Sequence, residues 1–128
     1  MQQDAPLLTD SHCHLDFGQF NGEIDALLMR AHERGVHRVV TICTRLRGLE
    51  PVQELAGSHA NVFFAAGTHP MSVADEPMVT PEDLEQVASH SKCVGIGETG
   101  LDYHYTADSK DAQQESLRIH IEAARRVD

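Results

Sequence analysis

Leu7-Leu8-Thr9-Asp10-Ser11-His12 is a short run that passes from apolar to polar, and the residues after it change period. Ile24, Leu27, Leu28 and Ala31 fall at i, i+3, i+4 and i+7, which places them on one helical face. Gly35 comes next, a residue that tolerates the positive φ at which helices commonly end. The same alternation recurs down the chain. Val39-Val40-Thr41-Ile42-Cys43 is rich in β-branched residues and precedes Leu49, Val52, Leu55 and Ala56, a helical pattern starting near Leu49-Glu50-Pro51. Val62-Phe63-Phe64-Ala65-Ala66-Gly67 precedes a helix with Thr80 as its cap, Pro81 at the first position and Glu82-Asp83 in the first turn. Cys93-Val94-Gly95-Ile96-Gly97-Glu98 precedes a last helix, amphipathic through Leu117, Ile121 and Ala124. Four strand–helix units of this size predict an α/β protein with parallel strands joined by right-handed crossovers.

Composition narrows the class. The 128 residues include 10 basic and 20 acidic side chains, a formal charge of −10, with 41% hydrophobic and 23% charged residues. A disordered acidic tail would lack that apolar content. No stretch of about 18 apolar residues is present to span a membrane. Met1 to Pro6 shows no basic region leading into an apolar run, so no signal peptide is visible. The three cysteines, Cys13, Cys43 and Cys93, form no CxxC pair. They suit reduced core thiols in a cytoplasmic protein better than a disulfide framework or nucleophiles. A charge of −10 argues against a broad basic face for nucleic acid. It leaves phosphate-containing substrates open wherever divalent metals reverse the local field.

The polar residues collect where the strands end. His12 and His14 close the first strand, Thr44 comes after the second, Gly67-Thr68-His69-Pro70 ends the third and Glu98 ends the fourth. Parallel α/β folds place their ligands at that carboxyl face. On an extended segment, His12 and His14 point the same way and Cys13 the other, so both imidazoles can reach one divalent ion. Asp10 and Asp16 flank the pair and could accept the second imidazole N–H. Glu98, between glycines, could use both oxygens to bridge two metals. His69 is held by the proline after it. Each of these has a plain alternative: HxH by chance among 9 histidines, Glu98 in a solvated turn, His69 in an ordinary loop. Gly95-Ile96-Gly97-Glu98-Thr99-Gly100 matches GxGxxG literally, yet no helix start comes after it, which disfavours dinucleotide binding. His32, His37, His59, His90, His104 and His120 read as solvated.

Together, Asp10-Ser11-His12-Cys13-His14-Leu15-Asp16, Gly67-Thr68-His69-Pro70 and Gly97-Glu98-Thr99-Gly100-Leu101-Asp102-Tyr103 resemble the TatD family of metal-dependent hydrolases and deoxyribonucleases. Gln113-Gln114, ahead of an amphipathic helix, is similar to the family as well. The resemblance implies a (β/α)8 barrel of the TIM type with two divalent metal ions, zinc, magnesium or manganese. It implies His12 and His14 as ligands of the first metal, Glu98 as a bridge between both, His69 near the substrate phosphate, and Asp10 and Asp102 in support. Where some members carry another histidine after His-Pro, this chain has Met71 and Ser72. The family takes two histidines and an aspartate from later strands, and a full barrel needs about 250 residues. Residues 1–128 then correspond to the first four βα units, the amino-terminal half of one domain.

The function implied is hydrolysis of phosphodiester bonds in DNA or another nucleic acid by a two-metal activated water, with Glu98 and His69 catalytic. Two other readings stand beside it. The same barrel and metals could act on a small ester, lactone or amide. A half-barrel could instead be inactive and self-associate through its unpaired edge strands.

Overall fold

The computed structural model describes residues 6–127, so the signal-peptide reading of Met1–Pro6 lies, apart from Pro6, outside the described residues. The expected alternation is present as β1 (Leu8–Cys13), α1 (Ile24–Glu33), β2 (Val36–Cys43), α2 (Leu49–Ser58), β3 (Val62–Ala66), α3 (Pro81–Ala88), β4 (Cys93–Ile96) and α4 (Lys110–Val127). Gly35, at φ +88°, turns the chain out of α1. Its carbonyl accepts from Leu8 N–H at 2.9 Å, tying the end of α1 to the start of β1. Thr80 caps α3 with a reciprocal pair: its Oγ1 accepts from Asp83 N–H while the Asp83 carboxylate accepts from Thr80 N–H.

The sheet runs β1-β2-β3-β4 with every pair parallel. Strands laid down in chain order, each joined by a right-handed crossover, put every helix on the same face. The strand order never reverses, so the sheet lacks the switch point of a doubly wound fold and suits one wall of a barrel. β2 begins at Val36, three residues ahead of the expected start, because His37 and Arg38 interrupt the apolar run at the strand's wet entry. Arg38 pairs with Thr9 there and is exposed.

Burial alternates along β3 and through most of β2, where Ile42 is buried as well. Val39, Thr41 and Cys43 sit beside Val62, Phe64 and Ala66 in register, and all six are buried. They form the core with Leu15, Leu28, Val52 and Ala56 from the helix side. A smaller cluster of Val79, Leu84 and Ala123 seats α3 and α4. The edges are different. Leu8 to His12 are exposed along β1, and Val94 of β4 is exposed as well. Parallel sheets are ordinarily buried on both faces, and this one is covered on one. Among the described residues no helix is long and apolar enough to cross a membrane.

The facing of α4 departs from its apolar pattern. Leu117, Ile121 and Ala124 predict the inner face, but Gln113, Ser116, His120 and Ala123 are the buried residues, while Ile121 is 51% exposed. Polar groups can be buried at low net cost when they are hydrogen-bonded. Here loops beneath α4 partner Gln113 and His120, while Ser116 and His120 meet within the helix. For the same reason His120, which reads as solvated in the sequence, is 1% exposed.

Candidate metal centre

β1 delivers two imidazoles. His12 closes its exposed part, and His14 lies one residue past its end. His14 Nδ1 lies 3.3 Å from the carbonyl oxygen of Ile42. A carbonyl only accepts, so Nδ1 carries the proton and Nε2 keeps its lone pair for a ligand. Phe17 stacks on the His14 ring at 4.6 Å between centroids and 12° between planes. The next residue is fixed too: Leu15 N–H donates to the buried Thr41 Oγ1 at 3.0 Å. The flanking carboxylates do not serve the imidazoles. Asp10 accepts from the backbone N–H of His12 at 3.0 Å, and Asp16 Oδ1 is buried without a partner. The orientation expected from Asp10 and Asp16 is supplied to His14 by the backbone of β2 instead.

β4 ends at Ile96, and Glu98 stands two residues beyond it. Its two oxygens face different histidines, Oε2 lying 3.4 Å from His12 Nε2 and Oε1 lying 3.2 Å from His69 Nε2. His69 Nδ1 accepts from Met71 N–H at 3.1 Å, so the His69 proton sits on Nε2, directed at Glu98. His69 therefore sets its proton-bearing nitrogen 3.2 Å from the carboxylate oxygen Oε1. Past His69-Pro70 the next two residues split in role: Met71 gives its amide to His69 and Ser72 is buried.

The ligand atoms of His12, His14 and Glu98 all lie within 4.8 Å of one another. Two imidazole nitrogens and a carboxylate suit a divalent ion of zinc or related type, with coordination positions left open. A carboxylate with both oxygens turned outward is also compatible with two ions. The donor set fits a metal.

The loop after Glu98 is built from its own side chains. The Asp102 carboxylate accepts from His104 N–H, Tyr105 N–H and, at 2.7 Å, Thr106 Oγ1, and these bonds, Thr106 foremost, hold it below its ordinary pKa. Gln113 of α4 grips the same loop: its Oε1 accepts from Asp102 N–H at 2.6 Å and its Nε2 donates to Asp102 O and Thr106 O. The Asp102 carboxylate is thus turned to its own loop and not to Glu98. His120 Nδ1 lies 2.7 Å from Ser116 O, and Nε2 accepts from Thr68 N–H at 3.0 Å. Burial pushes its pKa down and keeps the ring neutral. Apolar periodicity does not point to His120. Gln113, Ser116 and His120, at i, i+3 and i+7, carry a helical signal of their own in polar residues.

The other histidines are peripheral. His32 and His104 are exposed as expected; His37, His59 and His90, which read as solvated, are instead partly buried. Burial, first of all, raises the thiols: Cys13 reaches about 11, and Cys43 and Cys93 move the same way.

A family model described as TatD related DNase matches residues 9–128. The chain belongs to the TatD family. The TatD chain is 39% identical over 123 residues to the uncharacterized metal-dependent hydrolase YcfH of Escherichia coli K12, covering 94% of this chain and 46% of YcfH. It is 27% identical over 115 residues to the 3'-5' ssDNA/RNA exonuclease TatD of Shigella flexneri, covering 90% and 44%. The crystal structure of YjjV, a TatD homologue from Escherichia coli K12, superposes with a TM-score of 0.85 at 31% identity, covering 94% of this chain and 47% of YjjV. The fold is therefore that of a TatD-type TIM barrel, in four consecutive βα units. The chain spans about half the length of the relatives it matches.

Proposed function

We propose that these residues form part of the site of a metal-dependent hydrolase that cleaves phosphodiester bonds of nucleic acid in the manner of a deoxyribonuclease. We propose further that the four βα units are the amino-terminal half of an eight-unit barrel whose other half completes the ligand set. The observation that carries the first reading is the convergence of His12, His14 and Glu98 within 4.8 Å, with the Glu98 oxygens turned to different histidines. Divalent ions, when bound, would supply Lewis acidity and an acidified water to the hydrolysis. His12 and His14 offer ring nitrogens, and Glu98 offers the carboxylate between them and His69. His69, with its proton on Nε2, can turn that donor to a phosphate oxygen at the edge of the site. The Shigella relative's name, which specifies single-stranded DNA and RNA, favours a nucleic-acid substrate over a small ester. With a charge of −10, the attraction for phosphate has to come from the ions themselves.

The test uses the whole protein that carries these residues, loaded in turn with zinc, magnesium or manganese. Single-stranded DNA, RNA and a panel of small esters, lactones and amides are offered with and without chelator. Shortening of the oligonucleotides, abolished by chelator and reduced at least ~100-fold in Glu98→Gln, is the expected outcome. Intact oligonucleotides alongside hydrolysed small esters would transfer the assignment to the second substrate class.

A further inference from the structure

We infer that His120, on the buried face of α4, is a positioning residue that sets where His69 and Glu98 meet. The inference rests on the metal-site reading above and goes beyond it, because His120 offers no atom to the site.

Three contacts connect His120 to the centre. Its Nδ1–H donates to Ser116 O at 2.7 Å, one turn back along α4, which fixes the tautomer and aims the Nε2 lone pair away from the helix. That lone pair accepts from Thr68 N–H at 3.0 Å, across 52 residues of sequence. Thr68 is 4% exposed, so its amide has no water to turn to. The residue after Thr68 is His69, whose Nε2 lies 3.2 Å from Glu98 Oε1.

Gly67 shows how close the approach is. A Cβ there would lie 2.9 Å from His120 Nε2 and 3.1 Å from the carbonyl oxygen of Glu98. The ring and the Glu98 backbone thus both press on one residue that has no side chain. β2 holds the same point, with Gly67 N–H donating to Cys43 O and His69 N–H donating to Thr44 O just beyond the strand. The segment Gly67–His69 is held by the end of β2 and by the His120 imidazole. Loss of the imidazole acceptor leaves the Thr68 amide buried and unpaired, and the segment relaxes toward another acceptor, carrying His69 with it. A ligand-orienting contact of this kind typically changes metal affinity by about 10–100-fold. His120 acts one residue further out, which points to the lower end, about 10-fold.

A side chain filling the same space without the acceptor separates positioning from packing. His120→Gln carries an amide oxygen about as far out as Nε2 and is expected to retain the contact. His120→Asn reaches only as far as Nδ1 and keeps the polarity without the contact. His120→Leu removes both. Two readouts apply to the whole protein: hydrogen exchange of the Thr68 amide, and the affinity for cobalt(II) alone, followed by its visible spectrum. The expected result is wild-type Thr68 protection and affinity in His120→Gln, with both lost, affinity by about 10-fold, in His120→Asn and His120→Leu. If His120→Leu does not fold, His120→Asn carries the comparison. Equal behaviour of Gln and Asn variants, or wild-type cobalt affinity in His120→Asn, overturns the inference. Absence of cobalt binding in the wild-type protein would instead sink the metal-site reading, and the Thr68 exchange would still decide the role of His120.

Discussion

His14 turns its Nδ1 to the Ile42 carbonyl at 3.3 Å, and its ligand atom lies within 4.8 Å of that of Glu98. His14→Phe retains a ring to stack on Phe17 and removes the ligand nitrogen. Zinc affinity measured by calorimetry is expected to fall at least ~10-fold, the lower bound set by losses of mere orienting partners. Affinity equal to wild type would remove His14 from the ligand set.

Thr41 is fully buried and its hydroxyl accepts from the Leu15 amide, next to His14. Thr41→Val conserves shape and deletes that acceptor. An unpaired buried amide costs about 1–3 kcal/mol, so urea unfolding should show a loss in that range. A loss under about 0.5 kcal/mol would mean that Leu15 finds another partner, and the rigidity assigned to the His14 turn would fail with it.

Two histidines pull the stability–pH curve in opposite directions. The Asp25 carboxylate, hydrogen-bonded at 2.7 Å, and then the Leu55 carbonyl raise His59 above its ordinary value of 6.5. Its contribution is complete below pH 6.5 and is lost as pH rises through the higher folded value. His120 is lowered from 6.5 by burial, so its contribution is complete above 6.5 and is lost as pH falls through the lower folded value. Denaturation midpoints between about pH 5 and 8 should show Asp25→Asn flattening the alkaline decline and His120→Gln flattening the acid decline. His59 is a surface pair and its share is the smaller. An acid decline undiminished in His120→Gln would contradict the assignment.

The strands and the three central site residues are legible in the sequence because they sit where local rules are simple. Val39 to Cys43 and Val62 to Gly67 are β-branched and apolar runs, and the residues just past a parallel strand stand at its carboxyl end. α4 is legible as a helix and illegible in its facing. Its inner face is chosen by partners distant in sequence: Thr68 for His120 and Asp102 for Gln113. The apolar periodicity of α4 does not report them; only the polar spacing of Gln113, Ser116 and His120 does. The same limit applies to His14, whose orienting carbonyl belongs to Ile42 while the sequence offers the nearer Asp16. The facing of α4 can be tested directly. Ile121→Gln, at an exposed position, should change the unfolding free energy by less than about 0.5 kcal/mol. Ala123→Leu, fully buried beside Leu84 and Val79, should destabilise by about 1–3 kcal/mol through overpacking. The reverse order of effects would restore Leu117, Ile121 and Ala124 as the packed face.

Gly67 is the position at which site and fold are hardest to separate. Its missing side chain leaves room for the His120 ring and the Glu98 backbone, at 2.9 and 3.1 Å from where a Cβ would stand. Gly67→Ala forces one of them to move. The ring is anchored to Ser116 and the carbonyl is main chain, so neither yields cheaply, and a destabilisation of about 1–3 kcal/mol is expected. Pairing it with His120→Ala clears the ring and leaves only the Glu98 contact. The double variant should therefore lose less than the two single losses added together, with a coupling of about 0.5–3 kcal/mol in urea unfolding. Strict additivity would mean that the alanine methyl never met the imidazole, and that the ring does not lie against the end of β3.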